Sequence, residues 1–126
     1  MSKERVSLGD LGEKLAADFL KKNGYKILCR NYKTKLGEID IIAKDRETIC
    51  FVEVKTRSSD RFGLGSEAVY VVKQKQIAKA ALVFLKEKKF LDKKARFDVV
   101  SLNCSYSEPK IDLIKDAFEL EGSFTY

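Results

Sequence analysis

Histidine is absent from the 126-residue sequence, and so is tryptophan; proline and methionine each occur once. Without an imidazole the chain has no Ser–His triad, no Cys–His nucleophile, no histidine general base and none of the usual zinc centres within one chain. Any catalysis has to come from Asp, Glu, Lys, Tyr, Ser or Cys. Cysteine is scarce as well. Cys29, Cys50 and Cys104 are far apart, odd in number and without a CxxC pair. Each stands in a strand-like run, so buried reduced thiols are expected rather than a disulfide frame or a metal cluster. Long apolar runs are also missing, since none approaches the ~18 residues of a membrane span. The opening MSKERVSLGD holds no apolar signal segment, which makes the cytoplasm the expected compartment.

Charge dominates what is present. Charged residues make up 35% of the chain and apolar residues 44%, the balance of a soluble globular protein with a heavily charged surface. The length fits one domain over residues 1–126, with a core over 8–118 and a mobile tail over 119–126. Lys and Arg total 25 against 19 Asp and Glu, and the net charge of +6 favours a polyanionic partner.

Ser7-Leu8-Gly9-Asp10 resembles a capping box, and Leu8, Leu11, Leu15, Phe19 and Leu20 recur at helical spacing up to Gly24, a glycine suited to the position after a helix end. A first helix is therefore expected over residues 8–23. Strands follow at Tyr25–Tyr32, Glu38–Lys44 and Thr48–Arg57, the last two joined by the polar turn Asp45-Arg46-Glu47. Residues 58–66 read as a loop. Val72, Gln76, Ala80, Val83 and Phe84 mark a second helix of about 15–20 residues, with Lys73, Lys75, Lys79 and Lys86 on its solvent side. Arg96–Leu102 and Ile111–Ile114 are the last strands, and Ala117-Phe118 is expected to pack back on the core. The order α-β-β-β-α-β-β predicts an α/β or α+β domain whose mixed central sheet of about five strands is flanked by helices. The segment from third strand to fourth should be a parallel crossover.

The stretch from Gly37 to Arg57 organises the chemistry. Asp40 and Glu38 alternate with Ile39 and Ile41, and Glu53 and Lys55 alternate with Val52 and Val54. In a hairpin, Asp40, Glu53 and Lys55 can project into one pocket. Hydrolysing a phosphodiester requires charge neutralisation, an activated water and a stabilised leaving oxygen, and a hard divalent cation on carboxylate oxygens supplies much of this. Asp40 and Glu53 are the candidate ligands, with the Val54 carbonyl as a third oxygen, while Lys55 would orient the water or stabilise developing charge. The plainer alternative is a set of solvated acid–lysine contacts. Against it, Ile49, Cys50, Phe51 and Val52 make the third strand largely buried, where an unpaired Glu53 is costly.

Gly37-Glu38-Ile39-Asp40 and Phe51-Val52-Glu53-Val54-Lys55-Thr56-Arg57 resemble the Asp…Glu-X-Lys core of the PD-(D/E)XK nuclease superfamily. With Gly12-Glu13, Ala16, Asn31-Tyr32, Phe62-Gly63, Lys73 and Arg96-Phe97-Asp98, the chain from residue 9 to about 118 resembles the YraN-like family of small bacterial proteins. The resemblance implies a restriction-endonuclease-like fold similar to archaeal Holliday-junction resolvases. It implies metal binding, by Mg²⁺ or Mn²⁺, at Asp40 and Glu53, catalytic assistance from Lys55, and completion of the site by Glu13. Ile39 stands where the superfamily has a proline. The implied activity is endonucleolytic cleavage of DNA, branched or otherwise structured DNA included, and a homodimer would suit cutting of two strands. The alternatives are a non-catalytic nucleic-acid-binding module of the same fold and a protein-interaction adaptor. Glu38 is a further candidate for metal or substrate contact. Lys73 and Gln74, placed at the opening of the second helix, and Lys33, Lys35, Arg57, Arg61 and Lys75 are candidates for phosphate, with Phe62 and Tyr70 as stacking faces. Arg96 and Asp98 are expected to pair with each other.

Overall fold

The first helix, α1, spans Leu8–Lys22 and buries Ala16, Ala17 and Leu20 at helical spacing. It ends as its sequence predicts. The Gly24 amide donates to the Lys21 carbonyl at 3.1 Å and the Tyr25 amide to the Leu20 carbonyl at 3.0 Å, the paired bonds of a Schellman terminus. These coordinates are a computed structural model that describes residues 8–57, 64–105 and 107–118, with the side chains of residues 8 and 64–70 outside that description. Ser7, the expected cap, and the expected tail at 119–126 lie outside the described residues.

Five strands follow in a single sheet ordered β1-β2-β3-β4-β5. They are β1 (Lys26–Lys33), β2 (Glu38–Asp45), β3 (Thr48–Arg57), β4 (Lys94–Asn103) and β5 (Lys110–Ile114), with α2 (Leu64–Glu87) between β3 and β4. The first three strands form an antiparallel meander, β3 and β4 are parallel, and β5 returns antiparallel. The expected element order and mixed sheet are therefore present. The β2–β3 turn has two residues between the paired Asp45 and Thr48, and Arg46 takes φ 59°, the left-handed conformation that tight hairpins demand.

Both faces of the sheet are covered. Ile42, Ile49, Phe51 and Phe97 pack with Ile77, Ala81 and Phe84 of α2, while Ile41, Cys50, Val52 and Val100 pack with Ala16, Ala17 and Leu20 of α1. That is why β3 reads as a continuous apolar run and not as a simple alternation. Phe118 stacks on Phe97 with ring centroids 4.9 Å apart, returning the chain end to the core as expected.

Helix α2 starts earlier than its sequence suggests. Leu64, Gly65 and Ser66 are helical and not part of a loop, and the helix runs 24 residues. Glycine and serine are weak helix formers, so this first turn has no local signature. The apolar stripe that holds the helix to the sheet lies in its second half, at Ile77, Ala80, Ala81, Phe84 and Leu85.

At the end of the sheet where β2 finishes and β4 begins, Asp98 is fully buried and fully partnered. Arg96 donates to both of its carboxylate oxygens, at 2.8 and 3.0 Å, and the Asp116 amide donates at 2.9 Å. Arg96 also donates to the Tyr25 hydroxyl at 2.9 Å and to Asp45 at 3.0 Å. The expected Arg96–Asp98 pair is thus the centre of a network joining four segments. Cys50 lies beside it, and burial, with the Asp98 charge, pushes its thiol up to about 12. Cys50 is a buried free thiol as expected, whereas Cys29 and Cys104 are free but only half-buried.

Candidate active site

The site lies at the opposite end of β2 and β3. Their ladder runs from Asp45↔Thr48 to Ile41↔Val52 and stops there. Beyond that point Asp40 turns its carboxylate toward the open edge of β3, where its Oδ2 accepts the Val54 amide hydrogen at 2.8 Å. Period-two reasoning fails at this residue. Ile39 packs in the α2 core and Ile41 in the α1 core, although a regular strand would send both to one face. Across the ladder from Asp40, Asn31 takes φ 54°, and Tyr32 on its far side packs in the α2 core. Both strands change facing at the same level, and the kink places Asp40 between the two layers.

Glu53 follows from the parity of β3. Ile49 and Phe51 face α2, and Glu53 belongs to the same set. Its side chain is only 5% exposed, and Lys73 of α2 reaches its Oε2 at 3.3 Å. Burial first and the Asp40 charge second push the Glu53 carboxyl up to about 7, against the pull of Lys73 and Lys55. Asp40 is raised as well, chiefly by burial, with the Val54 amide and Lys73 working the other way. Lys73 is held above the ordinary lysine range. Its burial opposes the charge, but Glu53, Asp40 and Glu38 together outweigh that cost. Lys55, half-buried on the same strand parity as Glu53, adds its charge beside Glu53.

Glu13 approaches from the α1 side. Its carboxyl is raised by burial and then by Asp40, while Arg30 and a hydrogen bond from Asn31 pull it down. Its helix comes close because Gly12 faces Thr56 of β3, where a β-carbon would collide with the Thr56 side chain. Among the described residues no three acidic, cysteine or histidine side chains stand close enough together to hold a metal by themselves. A metal bound here would therefore rest on the Asp40–Glu53 pair, backbone oxygen and water. The pair suits a hard divalent cation: it consists of oxygen donors, buried at Glu53 and half-buried at Asp40, whose mutual repulsion is only partly relieved by lysine, and Mg²⁺ takes one or two carboxylates with several waters.

A cleft of about 400 Å³ opens beside this centre. The β1–β2 turn supplies one wall, with Lys33, Lys35 and Glu38, and α2 supplies the other, with Lys73, Gln76 and Ile77. Thr34 fixes the turn: its hydroxyl accepts the Leu36 and Gly37 amides at 3.0 and 3.1 Å. The wall and α2 meet at Gly37, where a β-carbon would lie 2.6 Å from the Gln76 carbonyl oxygen. Because that neighbour is helix backbone, Gly37→Ala has to push the turn and α2 apart. It is expected to cost about 1–3 kcal/mol, the range for overpacking, measured by denaturant unfolding. A loss below about 0.5 kcal/mol would show that the turn yields freely.

Several placements differ from the sequence reading. Lys73 and Gln74 do not open α2, whose first residue is Leu64, so no helix N-terminus offers them to a phosphate. Lys73 is exposed as expected, yet its head turns back to Glu53 and not away from the sheet. It precedes the buried Ile77, Ala80 and Phe84 by four, seven and eleven residues, and that spacing puts it on the sheet-facing stripe. The same arithmetic was available in the sequence and marks Lys73 as a partner of the acidic pair. Glu38 is exposed at the cleft, and its charge bears on Asp40. Gln74 and Lys75 point along other faces of α2 and do not line the cleft. Arg57 is exposed and reaches Ser101 Oγ at 3.5 Å. Arg61, Phe62 and the Tyr70 side chain lie outside the described residues.

The raised Glu53 carboxyl has a consequence for stability. A carboxyl whose folded pKa exceeds its unfolded value favours folding below that unfolded value, and the contribution is lost as pH rises through the folded value. Metal-free protein should therefore lose on the order of 2–3 kcal/mol from this group between about pH 4.5 and 7, and Glu53→Gln should not. Thermal melts in EDTA across that range test this. A wild-type minus Glu53→Gln difference that stays constant with pH would refute it.

A family model described as "Uncharacterised protein family UPF0102" matches residues 12–102. The chain is 51% identical over 120 residues to a UPF0102 protein of Geobacter metallireducens, covering 95% of this chain and 98% of that protein. It is 49% identical over 117 residues to one from Syntrophus aciditrophicus, covering 93% and 92%. It is 50% identical over 113 residues to one from Caldicellulosiruptor saccharolyticus, covering 88% and 96%. Among the described residues no helix is long and apolar enough to cross a membrane.

Proposed function

The chain belongs to the UPF0102 family, and we propose that it is a Mg²⁺- or Mn²⁺-dependent endonuclease of the PD-(D/E)XK type that hydrolyses phosphodiester bonds in DNA. Branched or otherwise structured DNA is its proposed substrate, as for the resolvases its motifs resemble. The observation that carries this reading is the Asp40–Glu53 pair at the end of the β2–β3 ladder, Glu53 buried and Asp40 half-buried, with two lysine charges directed at it. Two adjacent carboxylates in a water-poor setting are unfavourable unless a cation completes them.

Asp40, Glu53 and the Val54 carbonyl are the groups that would hold the ion. Bound there, it supplies charge neutralisation on the phosphate and lowers the pKa of water. The chain's own contributions are separate. Asp40 is oriented by the Val54 amide, so its carboxylate is aimed by the backbone. Lys55 orients the attacking water or meets the charge that develops on the phosphoryl oxygens. Glu13 adds negative charge beside Asp40 and strengthens its hold on a cation. Lys33 and Lys35, on the cleft wall, attract the flanking phosphates.

The test is a cleavage screen of four-way junction, forked, single-stranded and duplex DNA with Mg²⁺ or Mn²⁺. The proposal expects product with at least one substrate, dependent on metal and absent in Asp40→Asn. The absence of cutting in all combinations, with salt-sensitive binding that survives Asp40→Asn, would replace this reading by a non-catalytic nucleic-acid-binding module.

A further inference from the structure

Lys73 stands on the boundary between the acidic pair and the basic cleft. Its ammonium is 3.3 Å from Glu53 Oε2 and its side chain is 46% exposed, while Lys33 and Lys35 share the cleft that it lines. Glu38 and Asp40 also bear on it. In the metal-free protein it forms an ion pair with Glu53. A divalent ion seated on the pair would stand beside the Lys73 ammonium at the same carboxylate, and two cations that close repel strongly. Lys73 springs from the interior of α2 on a flexible four-carbon stem, so its Cα stays fixed while its head has an alternative position in the cleft.

We propose that Lys73 is a metal-sensitive latch: it closes on Glu53 without metal, and metal binding releases it into the cleft to hold a phosphate of the substrate strand. The proposal rests on the nuclease reading above. It makes metal and phosphodiester binding mutually reinforcing, because each ligand favours the open position of the same side chain. It also gives the empty enzyme weak affinity for nucleic acid, since Lys73 is then engaged by an acid.

Two measurements on wild type and Lys73→Met test the latch. In calorimetric titration with Mn²⁺ alone, Lys73→Met should bind about tenfold more tightly than wild type, within the usual range of coupling between sites. Binding of a fluorescent single-stranded oligodeoxynucleotide should then be followed against salt, once in EDTA and once in Ca²⁺. In EDTA the salt slopes of the two proteins should coincide, and in Ca²⁺ the wild-type slope should be steeper by about 0.7, one phosphate contact on a single strand. Lys73→Arg should follow wild type in both, and Lys73→Gln gives a second neutral variant that keeps a polar tip against Glu53. Equal Mn²⁺ affinity in wild type and Lys73→Met would overturn the latch and leave the metal site standing. A slope difference already present in EDTA would also overturn it, since Lys73 would then be a permanent phosphate contact. If none of the proteins binds Mn²⁺ even with a junction DNA present, the latch fails together with the nuclease reading.

Discussion

Glu53→Gln is expected to lower metal-dependent DNA cleavage by about a hundred- to a thousand-fold, the scale of removing one charged group from a preorganised site. The same substitution is expected to leave the fold intact and raise the stability of the metal-free protein at pH 8. Glutamine has nearly the volume of glutamate, so the packing around this 5%-exposed side chain is kept. It removes the charge that burial and Asp40 make unfavourable, and Lys73, nearly half exposed, returns to water at little cost. Loss of activity with gain of stability is the signature of a residue kept for function. A Glu53→Gln protein that still cuts within a few-fold of wild type would remove Glu53 from the chemistry, and one that unfolds would make it structural.

The largest stability effect belongs to the other end of the sheet. Arg96→Met should destabilise by about 3–5 kcal/mol, because it strands the fully buried Asp98 without its bidentate partner. For a domain of this length that corresponds to a fall of roughly 10–20 °C in Tm. The Tyr25 hydroxyl and Asp116 amide remain to solvate the carboxylate, but neither carries charge. Adding Asp98→Leu to Arg96→Met should recover part of the loss, since the penalty is an unpaired buried charge and not a missing attraction. Chemical denaturation of both proteins checks this. A double variant weaker than Arg96→Met by the full cost of a second independent lesion would refute that explanation.

Much of the fold is written locally. The bounds of β3 follow from its β-branched and aromatic run between a polar turn and a basic end, and α1 is closed by Gly24 as its sequence predicts. The element order, and with it the mixed sheet, follows from those signals. What the local pattern does not carry is the kink at Asn31 and Asp40. Periodicity assumes a regular strand, and here two strands change facing together, so Ile39 and Ile41 serve different cores. The pairing of Asp40 with Glu53 is legible in the motif, yet the reason Asp40 reaches the β3 edge lies in that kink. A helix read as starting at Val72, with Lys73 on its solvent side, hides the role of Lys73. The early start of the helix is invisible in Leu64-Gly65-Ser66, while the inward position of Lys73 is present in its spacing to Ile77. The Arg96–Asp98 pair is legible two residues apart on one strand. Its extension to Tyr25 and Asp45 is not, because those partners are distant in sequence and are brought in by the sheet.

Calorimetric titration of Mn²⁺ into wild type, Asp40→Asn and Glu53→Gln, without and with a junction DNA present, decides whether Asp40 and Glu53 form a metal site. One Mn²⁺ bound per chain by the wild type, and affinity reduced at least tenfold in both variants under the same conditions, is the expected result. Equal affinity in all three proteins, or no binding by the wild type even with DNA present, would contradict it.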